Sequence, residues 1–423
     1  MINFKKPRGT TDWYGIQLKK FNSIIDKLKE IASNYDFSQI DVPTFESIEL
    51  FNKSIGETTD INQKELYTII DKKQRVLALR PEGTSSVVRA YVENKMYANN
   101  NSVSKLFYVL NLFRYERPQS GRLREFHQFG IEYLNVTNHL YDIECLLFAI
   151  DIINKFNLSK YITLKINYLG NFSQRQKWIN ELKEYFEKYR NDLSEDSINR
   201  LSTNPLRILD DKVDAKKDFV INAPKLKKYL TEEDDKIFND IVDSIKNRNI
   251  KYEIDDTLVR GLDYYTGIVF EFVYTSISDP EFSTTILGGG RYSDLIYNTG
   301  GPNEIGLGFA IGLERLLITL DETNYDFNID ENVDVYVSAS NFENSLVALN
   351  VAQKLREQGK HVVVSFTNFK KDKNAHNAIK KNAHYFIYVD DVYLTNKKIN
   401  IEDLTTNIKS QVLENEINII IKS

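Results

Sequence analysis

Between Asn171 and Asn249 the chain is charged and helically periodic, and sheet-like sequence lies on both sides of it. The stretches RQKWINELKEYFEKYRNDL and APKLKKYLTEEDDKIFNDIVDSIKNR carry this texture. Glycine-rich, β-prone sequence then resumes at Tyr252 and runs to Leu320. That return constrains the fold more than any other feature, because one sheet must draw strands from both flanks of a helical insertion. A chain of 423 residues also exceeds what one hydrophobic core usually supports. We expect an α+β domain with an antiparallel sheet flanked by helices, in two parts at 1–170 and 251–325. A helical insertion at 171–250 separates them, and a small α/β unit follows at 331–423.

The first part opens with an amphipathic helix, in which Phe21, Ile24, Ile25, Leu28 and Ile31 recur at helical spacing. Strands are expected near Val76–Leu79, Leu106–Phe113 and Phe126–Leu134. In the last unit Val333, Val335 and Val337 alternate as in a strand. A helix follows, with Val347, Ala348, Val351, Ala352 and Leu355 on one face and Gly359 as its C-cap. His361–Phe366 and Phe386–Val389 read as buried strands, and this order favours a sheet containing parallel pairs.

Composition narrows the function classes. No stretch approaches the roughly 20 apolar residues that span a bilayer, and MINFKKPRGTTDW lacks the apolar core of a signal peptide. A cytoplasmic location is expected. The single cysteine, Cys145, excludes an internal disulfide and thiolate-rich zinc sites, and reads as a small buried apolar residue. Five histidines without HxxxH or HExxH spacing argue against a transition-metal site. The net charge of −5 decides nothing about RNA, since local clusters such as Lys225, Lys227 and Lys228, or Lys370, Lys371, Lys373, Lys380 and Lys381, suffice to meet phosphates.

Four stretches carry chemistry. VRGLDYYT (259–266) sets Arg260, Asp263, Tyr264 and Tyr265 between β-prone residues, and polar groups at a buried strand end need partners. A pocket for a polar ligand meets that need. NLFRYERPQSGRLREFHQFGIE (111–132) reads as two strands joined by an arginine-rich loop bending at Gly121. An arginine at the end of a rigid strand can hold a phosphate and stabilise charge gathering there. On the second strand Gln128 and Glu132 share a face. GLGFAIGLERLL (306–317) is a glycine-punctuated strand feeding a helix whose first turns carry Arg315, and LGGGRYSDL (287–295) lets backbone approach a ligand.

Taken together these stretches resemble the histidyl-tRNA synthetases, a family of class II aminoacyl-tRNA synthetases. The resemblance extends through GETTDINQKELY (56–67), LRPEGT (79–84) and TNPLRILDDK (203–212), and covers nearly the whole chain. It implies activation of L-histidine by ATP to histidyl-adenylate and pyrophosphate, then transfer to the terminal ribose of tRNA(His), with Mg²⁺ bridging the phosphates. The C-terminal unit would bind the anticodon, and the segment around Pro43 with Phe45–Ser47 would form a homodimer interface. Arg260 and Arg114 would be the catalytic cations on either side of the α-phosphate. Glu116, Arg122, Phe126 and Arg315 would hold the rest of ATP. Glu82, Gly83 and Thr84 would hold the α-amino group, Gln128 would lie near the amino acid, and Glu132 and Tyr264 would read the imidazole nitrogens. Tyr265 would line the same pocket. Adjacent strand residues face opposite sides, so both tyrosines reach the ligand only if the strand ends or bulges there.

Departures from the family pattern are Ser293, Leu123 and Glu125, the last placing a negative charge near the triphosphate. His127 is expected to be a hydrogen-bonded structural histidine, because attack of a carboxylate on ATP needs no proton abstraction. A competing expectation is a synthetase-like regulatory subunit of histidine biosynthesis. Such subunits usually lack the C-terminal unit and degrade the VRGLDYY element, and both are present here. Synthetase-like domains of stress kinases are embedded in much longer chains.

Overall fold

The opening helix α1 (Gly15–Asn34) buries Phe21, Ile24, Leu28 and Ile31, the residues whose spacing marked it. The structure, a computed structural model, describes residues 3–56, 59, 61–98, 102–209, 211, 213–259, 264–329, 331–417 and 421. After α1 come β1 (Ser38–Gln39), β2 (Phe45–Ser47), α2 (Ile48–Ile55), β3 (Thr68–Ile70), β4 (Val76–Leu79) and α3 (Thr84–Glu93). The hairpin β5 (Ser104–Phe113) and β6 (Glu125–Leu134) is followed by α4 (Leu140–Lys155) and β7 (Ile162–Tyr168). Next stand α5 (Phe172–Glu187), α6 (Glu195–Thr203), α7 (Asp218–Ile221) and α8 (Glu232–Ile245). Then β8 (Lys251–Ile254), β9 (Tyr265–Thr275), β10 (Ser283–Tyr292), α9 (Leu295–Asn298), β11 (Gly306–Gly312) and α10 (Leu313–Glu322) complete a unit spanning residues 1–327.

Its main sheet has the order β1-β5-β6-β11-β10-β9-β7-β8, antiparallel from β5 to β7. The expectation of an antiparallel sheet holds for these central strands, but β1 and β8 join the two edges in parallel, so the sheet is mixed. The reason is connectivity. Parallel neighbours need a long crossover, and the helical stretch α5–α8 is the crossover between β7 and β8.

Side-chain alternation divides the sheet into two faces. Phe129, Ile131 and Tyr133 of β6 and Phe309 and Ile311 of β11 point to the back. There they meet Cys145, Leu146, Phe148 and Ala149 of α4 and Leu316 and Leu320 of α10. Each buried Phe, Ile or Leu among them contributes roughly 1.5–3 kcal/mol. Cys145 packs in the same cluster, and burial pushes its thiol well above its usual range.

The segment between β7 and β8 is held by two capping boxes, Asn171 with Gln174 at α5 and Thr231 with Asp234 at α8. Its apolar side chains Trp178, Leu182, Phe186, Leu201 and Ile208 belong to one cluster with Tyr264, Tyr265 and Tyr292. Arg175 of α5 donates to the Tyr265 carbonyl. A small antiparallel sheet, β2-β4-β3, leaves Phe45, Ile69, Ile70 and Val76 exposed.

The second unit, residues 328–423, contains β12 (Val333–Ala339), α11 (Phe342–Glu357), β13 (Val362–Val364), α12 (Lys371–Lys380) and β14 (Ala383–Val389). After these come α13 (Val392–Asn396), β15 (Lys398–Asp403) and β16 (Ile408–Leu413). β12 lies parallel to both β13 and β14, as the strand–helix–strand order implied. Gly359, just past α11, adopts φ +81°, the left-handed conformation of a helix stop. The antiparallel pair β15–β16 was not anticipated.

Candidate active site

On the front face of the main sheet, small residues from neighbouring strands lie side by side. The register places Tyr108 beside Gly130, Gly130 beside Ala310, and Ala310 beside Gly288. In the next row Gly308 stands between Glu132 and Gly290. Larger side chains would fill this area, so the missing Cβ atoms create a depression whose walls come from Phe126, Gln128 and Glu132 on alternate positions of β6. Tyr108 is wholly buried over Gly130, where a Cβ would come 2.2 Å from its ring.

Two cavities open there and share Arg114, Gln128, Gly288 and Ala310. The larger, about 440 Å³, is lined by Arg114, Arg122, Arg207 and Arg315, by Glu65, Glu116, Glu271 and Glu314, and by Phe126 and Leu123. Arg114 follows the last residue of β5. Its Nε donates to the Pro81 carbonyl (2.9 Å) and its guanidinium lies 5.3 Å from the centre of the Phe126 ring. Among the described residues its terminal nitrogens make no hydrogen bond, which leaves them to the cavities. Arg315, in the first turn of α10, donates to the carbonyls of Gly121 (3.0 Å) and Thr285 (2.7 Å). Burial lowers the pKa of both arginines, yet a guanidinium stays charged in proteins. Arg122 lies 3.8 Å from Glu116.

The smaller cavity, about 80 Å³, is lined by Glu82, Thr84, Tyr108, Glu132, Tyr264, Tyr265 and Tyr292 besides the shared residues. Glu82 accepts the backbone N–H groups of Thr84 and Ser85, both at 2.7 Å, and so caps α3. Gly83 stands beneath Tyr108, where any Cβ would strike the ring. Thr84 Oγ1 donates to Glu132 Oε1 (2.6 Å) and the Tyr292 hydroxyl donates to Oε2 (2.8 Å). Burial pushes the Glu132 carboxyl up to about 8; these two hydrogen bonds pull against it, and the Glu82 charge adds to it. The rings of Tyr264 and Tyr265 lie 4.8 Å apart, tilted at 47° to each other. Both reach the cavity because β9 begins only at Tyr265, and a bulge opposite Gly290 and Arg291 with Gly267 at φ +57° breaks the alternation.

Arg260 and Asp263 lie outside the described residues, as do Glu57, Thr58 and Asp60 of GETTDINQKELY and Lys212. His127 is bonded through Nδ1 and its backbone N–H to Glu314 (2.8 and 3.0 Å), which ties β6 to α10. Glu125 accepts a hydrogen bond from Asn111 (3.4 Å), while Leu123 lines the larger cavity. Sequence reasoning missed Tyr108, Tyr292 and Glu314. It also missed Arg80, a buried residue that donates to the carbonyls of Val42, Pro43 (3.2 Å) and Asn111 (2.8 Å). Of these Tyr292, Glu314 and Arg80 stood in stretches already singled out, and Tyr108 in an expected strand.

The family model described as histidyl-tRNA synthetase matches residues 9–316. The chain belongs to the histidyl-tRNA synthetases. A histidine–tRNA ligase of Malacoplasma penetrans is 45% identical over 419 residues, 99% of this chain and 98% of its own. One from Ureaplasma parvum is 44% identical over 98% of each. The crystal structure of apo S. aureus histidyl-tRNA synthetase is similar at a TM-score of 0.83 and 32% identity, with both chains fully covered. A Bacillus halodurans structure described as an ATP phosphoribosyltransferase regulatory subunit/histidyl-tRNA synthetase shares the fold at 22% identity and a TM-score of 0.62. The full-length relationships favour the ligase over the regulatory subunit. The activity is that of a histidine–tRNA ligase, with ATP as a substrate.

At Gly308 a Cβ would lie 2.1 Å from the Ile131 carbonyl oxygen and 2.4 Å from Glu132 Oε2. Gly308→Ala should cost about 1–3 kcal/mol of stability by overpacking and weaken histidine binding more than ATP binding. Thermal unfolding and calorimetry with each ligand check both parts.

Proposed function

We propose that histidine occupies the smaller cavity and ATP the larger, so that the histidine carboxylate meets the α-phosphate at Arg114. The observation that carries this reading is the sharing of Arg114 and Gln128 by the two cavities. A buried carboxyl with a phenol nearby suits imidazole, whose two nitrogens both need partners. Glu132 and Tyr264 take that role, and Tyr292 orients Glu132. Glu82 and Thr84 receive the α-amino group, and Gln128 lies beside the carboxylate. In the larger cavity Phe126 stacks on adenine, Glu116 accepts from its amino group, and Arg122 and Arg315 hold phosphates.

Catalysis is positional and electrostatic. The carboxylate attacks the α-phosphorus, the bond to the β-phosphate oxygen breaks, and Arg114 with Arg260 stabilises the charge that gathers. Among the described residues no cluster of three or more His, Cys, Asp or Glu could hold a metal ion. Mg²⁺ would bind chiefly through the triphosphate and neutralise phosphate charge, and Glu271 of the cavity lining would help to hold it. The exposed apolar side chains Phe45, Ile69, Ile70 and Val76 suit a homodimer interface, the 328–423 unit suits the anticodon of tRNA(His), and a cytoplasmic location suits the substrates.

Histidine-dependent exchange of pyrophosphate into ATP tests the reading. Exchange is expected with histidine and Mg²⁺ present, and Arg260→Ala should reduce it by about 10²–10³-fold with folding intact. Absence of exchange in the folded wild-type protein would refute it.

A further inference from the structure

Arg207 stands apart from the other cations of the larger cavity. The rest come from the hairpin β5–β6 and from α10, whereas Arg207 belongs to the crossover segment between β7 and β8. Among the described residues it is the one member of that segment that lines the cavity. We propose that Arg207 is a substrate-binding residue for the triphosphate of ATP, contributed by the helical segment. The inference rests on the assignment of the larger cavity to ATP.

Local structure explains how it is presented. Pro205–Ile208 forms a single 3₁₀ turn in which Pro205 and Ile208 are buried, as is Leu209 after it. Ile208 and Leu209 join the cluster that also contains Tyr264, Tyr265 and Tyr292. The turn is thereby anchored to the wall of the neighbouring cavity, and Arg207 is its half-exposed polar member. Its backbone is fixed as well. The Arg207 N–H donates to the Asn204 carbonyl (3.1 Å), and Arg200, paired with Asp211 at 2.7 Å, donates to the Arg207 carbonyl (3.4 Å).

The cavity holds four arginines against four glutamates, so with Arg207 it is balanced, and without it the lining is net negative. A lining of net negative charge opposes a triphosphate, and a planar guanidinium suits phosphate oxygens. The anionic part of ATP is its phosphate chain, which fixes the end of the nucleotide that Arg207 meets.

The test is steady-state pyrophosphate exchange, without tRNA, in wild type, Arg207→Ala and Arg207→Lys, with ATP binding measured by calorimetry. Arg207→Ala should raise the KM and Kd for ATP about tenfold or more, leave the KM for histidine within about twofold, and leave the thermal midpoint unchanged. Arg207→Lys, which keeps the charge and guards against misfolding of the alanine variant, should fall between them. Unchanged ATP constants in a folded variant would overturn the proposal, as would a defect confined to tRNA aminoacylation. A wild-type protein without exchange would instead count against the ATP assignment itself.

Discussion

Replacing Arg114 with alanine is expected to lower histidine-dependent pyrophosphate exchange by about 10²–10³-fold, or about 3–4 kcal/mol of transition-state stabilisation. Three features place this residue above the other arginines. It lines both cavities. Its Nε is fixed by the Pro81 carbonyl and its plane rests near Phe126, so the side chain is oriented before substrates arrive. Its burial means that its charge acts through a medium less polar than water. Charge at the α-phosphate develops as histidine attacks, so the loss should appear mainly in kcat, with a smaller rise in KM. Arg114→Lys should recover little, because an ammonium on a flexible stem reproduces neither the fork nor its fixed plane. A loss seen only in KM would assign Arg114 to ground-state binding.

The second large effect concerns Glu132. Glu132→Gln should raise the KM for histidine by about 10²–10³-fold, or about 3–4 kcal/mol, the lower part of what breaking a buried charged pair costs, while ATP binding is retained. Its pH dependence is more diagnostic. Free imidazole titrates near 6.5, and the unliganded Glu132 carboxyl is pushed up to about 8. Between these values one proton is present on the pair, which is what an imidazole–carboxyl hydrogen bond requires. Below about pH 6.5 both groups are protonated and binding must expel a proton. Above about 8 neither is, and binding must take one up. Histidine affinity should therefore peak between about 6.5 and 8 and fall by up to about tenfold per pH unit outside that window. Calorimetry across pH should show the alkaline limb vanish in Glu132→Gln. The sign for stability is consistent. With its pKa raised in the folded state, Glu132 supports folding fully below its ordinary 4.5, and that contribution is lost as pH rises through about 8.

Much of this arrangement was legible in the chain because it is local. The alternation at Phe126, Gln128 and Glu132 predicts one strand face, and that face is the wall of the site. The spacing in α1 and α11 likewise marks buried stripes. What escaped depends on contacts between distant segments. Tyr292 reaches Glu132 across 160 positions, and nothing in RYSDL states which carboxylate its hydroxyl will meet. Arg80 sits in LRPEGT without any sign that it joins the Pro43 segment to β5. Edge strands of two and four residues carry no periodicity from which a parallel direction could be read. The rule that neighbouring strand residues diverge favoured one tyrosine over the other. It yielded because the strand starts at Tyr265 and bulges two residues later. The charged texture of the helical segment predicted its helices, but not that its core is continuous with the tyrosines of the smaller cavity.

The most direct test is a crystal structure of the protein with L-histidine and a non-hydrolysable ATP analogue. The imidazole should lie within hydrogen-bond distance of Glu132, with the α-carboxylate and the α-phosphate both on Arg114. Histidine bound elsewhere, or an imidazole turned away from Glu132 with its carboxylate remote from Arg114, would contradict the account.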